Sequence, residues 1–130
     1  MAVTTKILPC ELRLRTPYRG IETGRDILRI DITTKAQHIV IDVDDLAIEV
    51  REDDGCFVLG AGTIDTLFVV ERQPRSGFLT WFGVFARRRG RADRLLFETP
   101  EGKVARLVER TIERHLGLDD KPVRGELRVD

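Results

Sequence analysis

Nothing in this sequence approaches the run of about 20 uncharged apolar residues that a membrane-spanning helix requires. The start, Met1-Ala2-Val3-Thr4-Thr5-Lys6-Ile7-Leu8-Pro9, lacks the basic-then-apolar layout of a signal peptide, so the chain is expected in the cytoplasm. Cysteine is scarce: Cys10 and Cys56 have neither the spacing of a metal site nor the density of a disulfide framework. Serine is scarcer. Ser76 stands alone in a turn-like stretch, with no serine–histidine–acid or cysteine–histidine arrangement around it, and no catalytic nucleophile is expected. Charge of one sign is not in excess. The 22 Lys and Arg balance the 22 Asp and Glu, which argues against nucleic acid held by bulk electrostatics. What remains is 130 residues, 42% apolar and 34% charged, the makeup of one globular domain and too short for two with sizeable cores.

The first two-thirds alternates with period two. Cys10, Leu12 and Leu14 interleave with Glu11, Arg13 and Arg15; Leu28, Ile30 and Ile32 with Arg29, Asp31 and Thr33. Ile39, Ile41 and Val43 follow, then Leu46, Ile48 and Val50. Successive side chains of a strand leave opposite faces of the sheet, so this pattern predicts antiparallel strands with one wet face. Turn chemistry divides them: Thr16-Pro17-Tyr18-Arg19-Gly20, Glu22-Thr23-Gly24-Arg25, and the hairpin signal Glu52-Asp53-Asp54-Gly55. Cys56–Leu59 reads as a strand, Gly60-Ala61-Gly62 as a bend, and Ile64–Glu71, Phe78–Ala86 and Arg94–Glu98 as further strands. The period then changes. Val104, Leu107, Val108, Thr111, Ile112, His115 and Leu116 form one stripe at helical spacing, with Arg106, Glu109, Arg110, Glu113 and Arg114 on the other side. Thr99 is the expected N-cap, Pro100 the first helical residue and Gly117 the stop. The expected fold is α+β: about seven antiparallel strands in a sandwich or partly open barrel, closed by one C-terminal amphipathic helix, Pro100–Leu116. The domain spans 1–118, and 119–130 is a polar tail.

Arg94-Leu95-Leu96-Phe97-Glu98-Thr99-Pro100-Glu101, followed by Val104, Leu107, Val108 and Ile112, resembles the last strand and closing helix of the pleckstrin-homology superfold. That group includes PH domains, phosphotyrosine-binding domains and the third lobe of FERM domains. Leu79-Thr80-Trp81-Phe82-Gly83-Val84 is similar to the strand that precedes them, although the only tryptophan lies here on a strand and not within the helix. The resemblance reaches the superfold and no single branch of it. It implies a binding module, by analogy of fold.

The main functional candidate is a group of arginines, Arg72, Arg75, Arg87, Arg88, Arg89 and Arg91, with Arg94 beside it and Asp93 the only acid among them. Guanidinium forks suit carboxylate or phosphate oxygens. If the loops Gln73–Gly77 and Arg87–Arg94 flank one hairpin, their charges meet on a shared face; the plain alternative is a solvated loop that shields an apolar strand from aggregation. A second candidate is the run Phe78–Ala86, apolar on both faces and either buried on both or presenting Trp81 or Phe82 to a partner or membrane surface. Asp42-Val43-Asp44-Asp45 and Asp53-Asp54-Gly55 lack the acid spacing of a calcium loop, and His38 and His115 have no ligand partners at metal spacing. Asp31-Ile32-Thr33-Thr34-Lys35-Ala36 after Arg15 and Arg19 is similar to the arginine-then-DxSxxG layout of PilZ domains, with shorter spacing and alanine in place of glycine. The reading is a non-catalytic interaction module for a protein or peptide, reached through a strand edge or the arginine loops, with no metal and no cofactor. The alternative is a peripheral membrane module that reads anionic head groups through the arginines.

Overall fold

The computed structural model describes residues 2–7, 10–19, 26–33, 37–72 and 81–118. They fall into two compact units that divide between Thr63 and Ile64.

The first unit is a six-stranded antiparallel sheet in sequence order: β1 Ala2–Ile7, β2 Cys10–Arg19, β3 Asp26–Thr33, β4 His38–Val43, β5 Ala47–Glu52 and β6 Gly55–Gly60. Strand β1 lies in the stretch that the sequence pattern left unassigned. Strand β2 also runs on through Thr16 and Pro17, which were expected to break it. The register slips there, since Arg15 pairs with Arg29 but Tyr18 with Ile27. Two residues thus oppose Leu28, and a proline fits such a bulge because no ladder bond needs its missing N–H.

Pairing aligns the apolar positions. Ile30 opposes Ile41, which opposes Val50 on its other side, and Val43 opposes Ile48, which opposes Leu59. All of these are buried, as are Leu28, Ile32 and Ile39. Leu46, expected to begin the next apolar set, sits instead in the turn before β5 and is 58% exposed. That turn is held by Asp44, whose Oδ1 accepts from the Leu46 and Ala47 N–H groups at 2.8 Å each. The opposite face of the sheet carries charge. Asp42 accepts a forked pair of bonds from Arg29 at 2.7 and 2.9 Å and a third from Arg51 at 3.1 Å, while His38 Nε2 lies 2.9 Å from Asp31.

A 3-10 turn, Ala61–Thr63, leads into the second unit: β7 Ile64–Arg72, β8 Trp81–Arg88 and β9 Arg94–Thr99 in one antiparallel sheet, then helix α1 Gly102–Leu116, which packs on all three strands. Among the described residues the architecture is therefore α+β, with two antiparallel sheets and a C-terminal helix.

The helix begins two residues later than expected. Thr99 ends β9, its Oγ1 accepting from the Glu101 N–H at 3.3 Å, and Glu101 takes the N-cap position. Gly117 ends the helix in the left-handed conformation, φ 69°, where its N–H reaches the Arg114 carbonyl.

The buried arc of α1 is Val104, Ala105, Val108, Glu109, Ile112 and Glu113. Leu107, Thr111, His115 and Leu116, expected in the stripe, are only half-buried, and Glu109 and Glu113, expected on the wet side, are covered. Burial of a carboxylate costs several kcal/mol unless it is paired. Here Arg106 Nη1 donates to both Glu109 oxygens, at 2.8 and 3.0 Å.

Within β8, Gly83 permits a close approach. A β-carbon there would sit 2.8 Å from Phe85 Cε1 and 3.1 Å from Leu95 Cδ1, and the Phe85 ring is held by stacking on Phe68. Gly83→Ala is expected to destabilise by about 1–3 kcal/mol through overpacking, despite the better strand propensity of alanine. A denaturant midpoint equal to wild type would show that the ring yields freely.

Candidate functional site

The hairpin β8–β9 turns through residues 89–93 and brings five arginines to one end of the second sheet. They are not equivalent. Arg87 pairs across β8 and β7 with Thr66, and its guanidinium lies 5.4 Å from the centre of the Phe68 ring, a cation–π geometry. It also donates through Nε and Nη2 to the two oxygens of Asp93, both at 3.3 Å. The hydrogen bond to Asp93, then its negative charge and a smaller contribution from Asp65, raise the Arg87 pKa above the ordinary arginine value. Arg87 is thus charged at every physiological pH, and its fork is already occupied.

Arg88 spends its Nε on the carbonyl of Ala92 at 3.0 Å, which braces the turn. Arg94 begins β9 and is exposed. Arg89 and Arg91 are exposed and make no hydrogen bond or ion pair among the described residues. The outward cations of this turn are therefore fewer than the sequence suggests, because the one acid in the run, Asp93, folds back on Arg87.

The other expected members lie elsewhere. Arg72 ends β7 and pairs in register with Trp81 at the opposite end of β8; Arg75 falls outside the described residues. Trp81 stands six positions before Arg87 in the strand, or about 20 Å at 3.3 Å per residue. Arg72 and the arginines Arg87–Arg91 are therefore placed at opposite ends of the β7–β8 pair.

The aromatic candidates also part company. Trp81 and Phe82 are neighbours in a strand and leave opposite faces of the sheet. Phe82 lies against the start of α1, where a β-carbon on Gly102 would be 3.2 Å from its ring. Trp81 is half-buried, on the face that carries Phe68 and Phe85.

A second exposed surface is the outer edge of β6. Its strand has no partner beyond β5 among the described residues. Cys56, Val58 and Gly60 are exposed, and Val58 and Leu46, each 58% exposed, are the large hydrophobic residues most open to solvent in the described chain. Both lie at this end of the first sheet. The Ala61 N–H donates to the Leu46 carbonyl at 2.8 Å. In an antiparallel ladder bonded pairs alternate with unbonded ones, so the register Ala47–Gly60, Glu49–Val58 and Arg51–Cys56 leaves the main-chain groups of Cys56, Val58 and Gly60 directed away from β5. The Gly60 carbonyl is taken by Thr63 Oγ1 at 2.7 Å. The remaining groups form a short open ladder. The signal in the sequence was Cys56-Phe57-Val58-Leu59, apolar on both faces where its neighbours alternate.

Among the described residues no cluster of three or more His, Cys, Asp or Glu is placed to hold a metal ion, and no helix is long and apolar enough to cross a membrane. Searches of the sequence against protein-family models and curated proteins, and of the fold against solved structures, gave no match, so function has to be read from these surfaces.

Proposed function

We propose that the chain is a non-catalytic interaction module of the cytoplasm that binds an extended segment of a protein partner by strand addition at the edge of β6. The observation that carries this reading is the exposed Val58 on an outer strand whose alternate main-chain groups turn away from β5. Strand addition draws affinity from main-chain hydrogen bonds and selectivity from alternate side chains, and β6 offers both. The seven strands β3–β9 followed by α1 support the pleckstrin-homology-like plan, with β1 and β2 as an extension of the first sheet.

Selection of peptides from a display library on the immobilised protein tests the reading. Enriched peptides are expected to lose binding to Val58→Pro, which removes an outward N–H and no bond to β5. They are expected to keep it in Arg89→Ala/Arg91→Ala. Loss of binding in the arginine variant alone would overturn the assignment of the surface.

The membrane alternative draws on a different observation, the exposed Arg89 and Arg91. It predicts co-sedimentation with anionic vesicles that disappears in Arg88→Ala/Arg89→Ala/Arg91→Ala. Absence of sedimentation at low salt removes it. The engagement of Arg87 by Asp93 and the distance of Trp81 from the turn make this the weaker reading.

A further inference from the structure

The open edge of β6 is bounded by acid at both ends. Residues 44–60 hold six acids, Asp44, Asp45, Glu49, Glu52, Asp53 and Asp54, against the single base Arg51. Arg51 is already committed, to Asp42 at 3.1 Å and Glu49 at 3.5 Å. The hairpin tip Asp53–Asp54 stands at one end of β6. The turn with Asp45 stands at the other, since Leu46 is bonded to Ala61 just past the end of the strand. Asp45, Asp53 and Asp54 are exposed and make no ion pair among the described residues. Between these ends lies the apolar Val58, with Leu46 beside Asp45 in the turn.

From this arrangement we infer that the partner segment is an extended strand with an apolar centre and basic residues on both flanks. The inference rests on the strand-addition reading above and adds the chemistry of the occupant. An added strand places its central side chains beside Val58 while its ends run past Asp53–Asp54 on one side and Asp45 on the other. Lysine or arginine at those ends meets negative charge within about 10 Å, a Debye length at 0.1 M salt. Glutamate or aspartate there is repelled.

The same charges disfavour a second copy of the chain. Two β6 strands paired antiparallel about Val58 would bring each acidic hairpin tip to the acidic end of the other, like charge against like charge. The edge is thereby kept from pairing with itself, a common hazard of open strands, while it stays available to a basic segment.

The test uses the full chain and synthetic peptides of alternating valine and threonine, one flanked by lysines and one by glutamates, titrated with NMR detection at low and high salt. The lysine-flanked peptide is expected to bind about tenfold more tightly or better, with the advantage reduced by salt. Val58→Pro is expected to abolish its binding with the circular dichroism spectrum unchanged. The variant Asp45→Asn/Asp53→Asn/Asp54→Asn is expected to erase the preference between peptides while keeping the apolar contact.

Equal binding of both peptides, lost in Val58→Pro, would overturn the charge inference and leave the edge reading standing. Binding unaffected by Val58→Pro, or no binding of either peptide, would overturn the edge reading itself. A concentration-dependent dimer in analytical ultracentrifugation that Val58→Pro dissolves would assign the edge to a second copy and overturn the inference.

Discussion

Ile112→Asp is expected to unfold the second unit, whereas Leu107→Asp costs less than about 1.5 kcal/mol. The two residues belong to one apolar stripe in the sequence but not to one environment. Ile112 is fully buried in the face of α1 that packs on β7, β8 and β9, together with Val104 and Val108. A buried Ile contributes about 1.5–3 kcal/mol, and a carboxylate in its place adds the cost of desolvating a charge. Together these losses are comparable to the 5–15 kcal/mol margin of a typical domain. Leu107 is half-buried on the flank of the arc, where an aspartate reaches water. Urea unfolding followed by circular dichroism and by the fluorescence of Trp81 on β8 separates the two variants. Equal loss in both would mean that the helix packs through the stripe that includes Leu107 and not through the arc of Val104, Ala105, Val108 and Ile112.

In the first unit the largest effect is expected at Ile41→Ala, with a loss of about 2–5 kcal/mol. Ile41 has no exposed surface and lies between Ile30 and Val50 in the middle of the six-stranded sheet. Truncation removes transfer energy and leaves a cavity that two flanking strands hold open. The adjacent Val40 provides the control. It leaves the opposite, charged face and is half-buried, so Val40→Thr is expected to change stability by less than about 0.5–1 kcal/mol. Strand periodicity is two, and a slip of one residue in β4 would exchange these outcomes. A larger loss at Val40 than at Ile41 in chemical denaturation would therefore reject the register.

The sheet core was legible because its signal is local. Leu28, Ile30, Ile32, Ile39, Ile41, Val43, Ile48 and Val50 alternate with polar residues and are buried as their period requires. Helix α1 was legible for the same reason, as was its stop at Gly117, where the chain needs a positive φ. Its start was not. Thr99 looked like an N-cap, but hydrogen bonding in β9 extends the strand through it and delays the helix to Gly102. The burial of Glu109 and Glu113 was equally hidden. A count of apolar spacing assigns carboxylates to water, and only a partner such as Arg106, brought alongside by the helix turn, makes a covered carboxylate tolerable.

For the candidate site the balance reverses. The arginines are conspicuous in the chain, yet their availability depends on pairing that spacing does not reveal. Asp93 and the Phe68 ring hold Arg87, the Ala92 carbonyl holds Arg88, and the length of β8 keeps Arg72 away from both. Conversely, nothing in the letters Cys56-Phe57-Val58 says that this strand is the last of its sheet.

The sequence by itself determined which residues alternate, where the period changes from strand to helix, and that charge is balanced and dense, because these depend only on neighbours along the chain. Tertiary structure alone decided which strand is left at an edge, which arginine is already engaged and which carboxylate is buried. Each of those is a relation between residues far apart in sequence, set by hydrogen-bond pairing and packing rather than by the composition of any one segment.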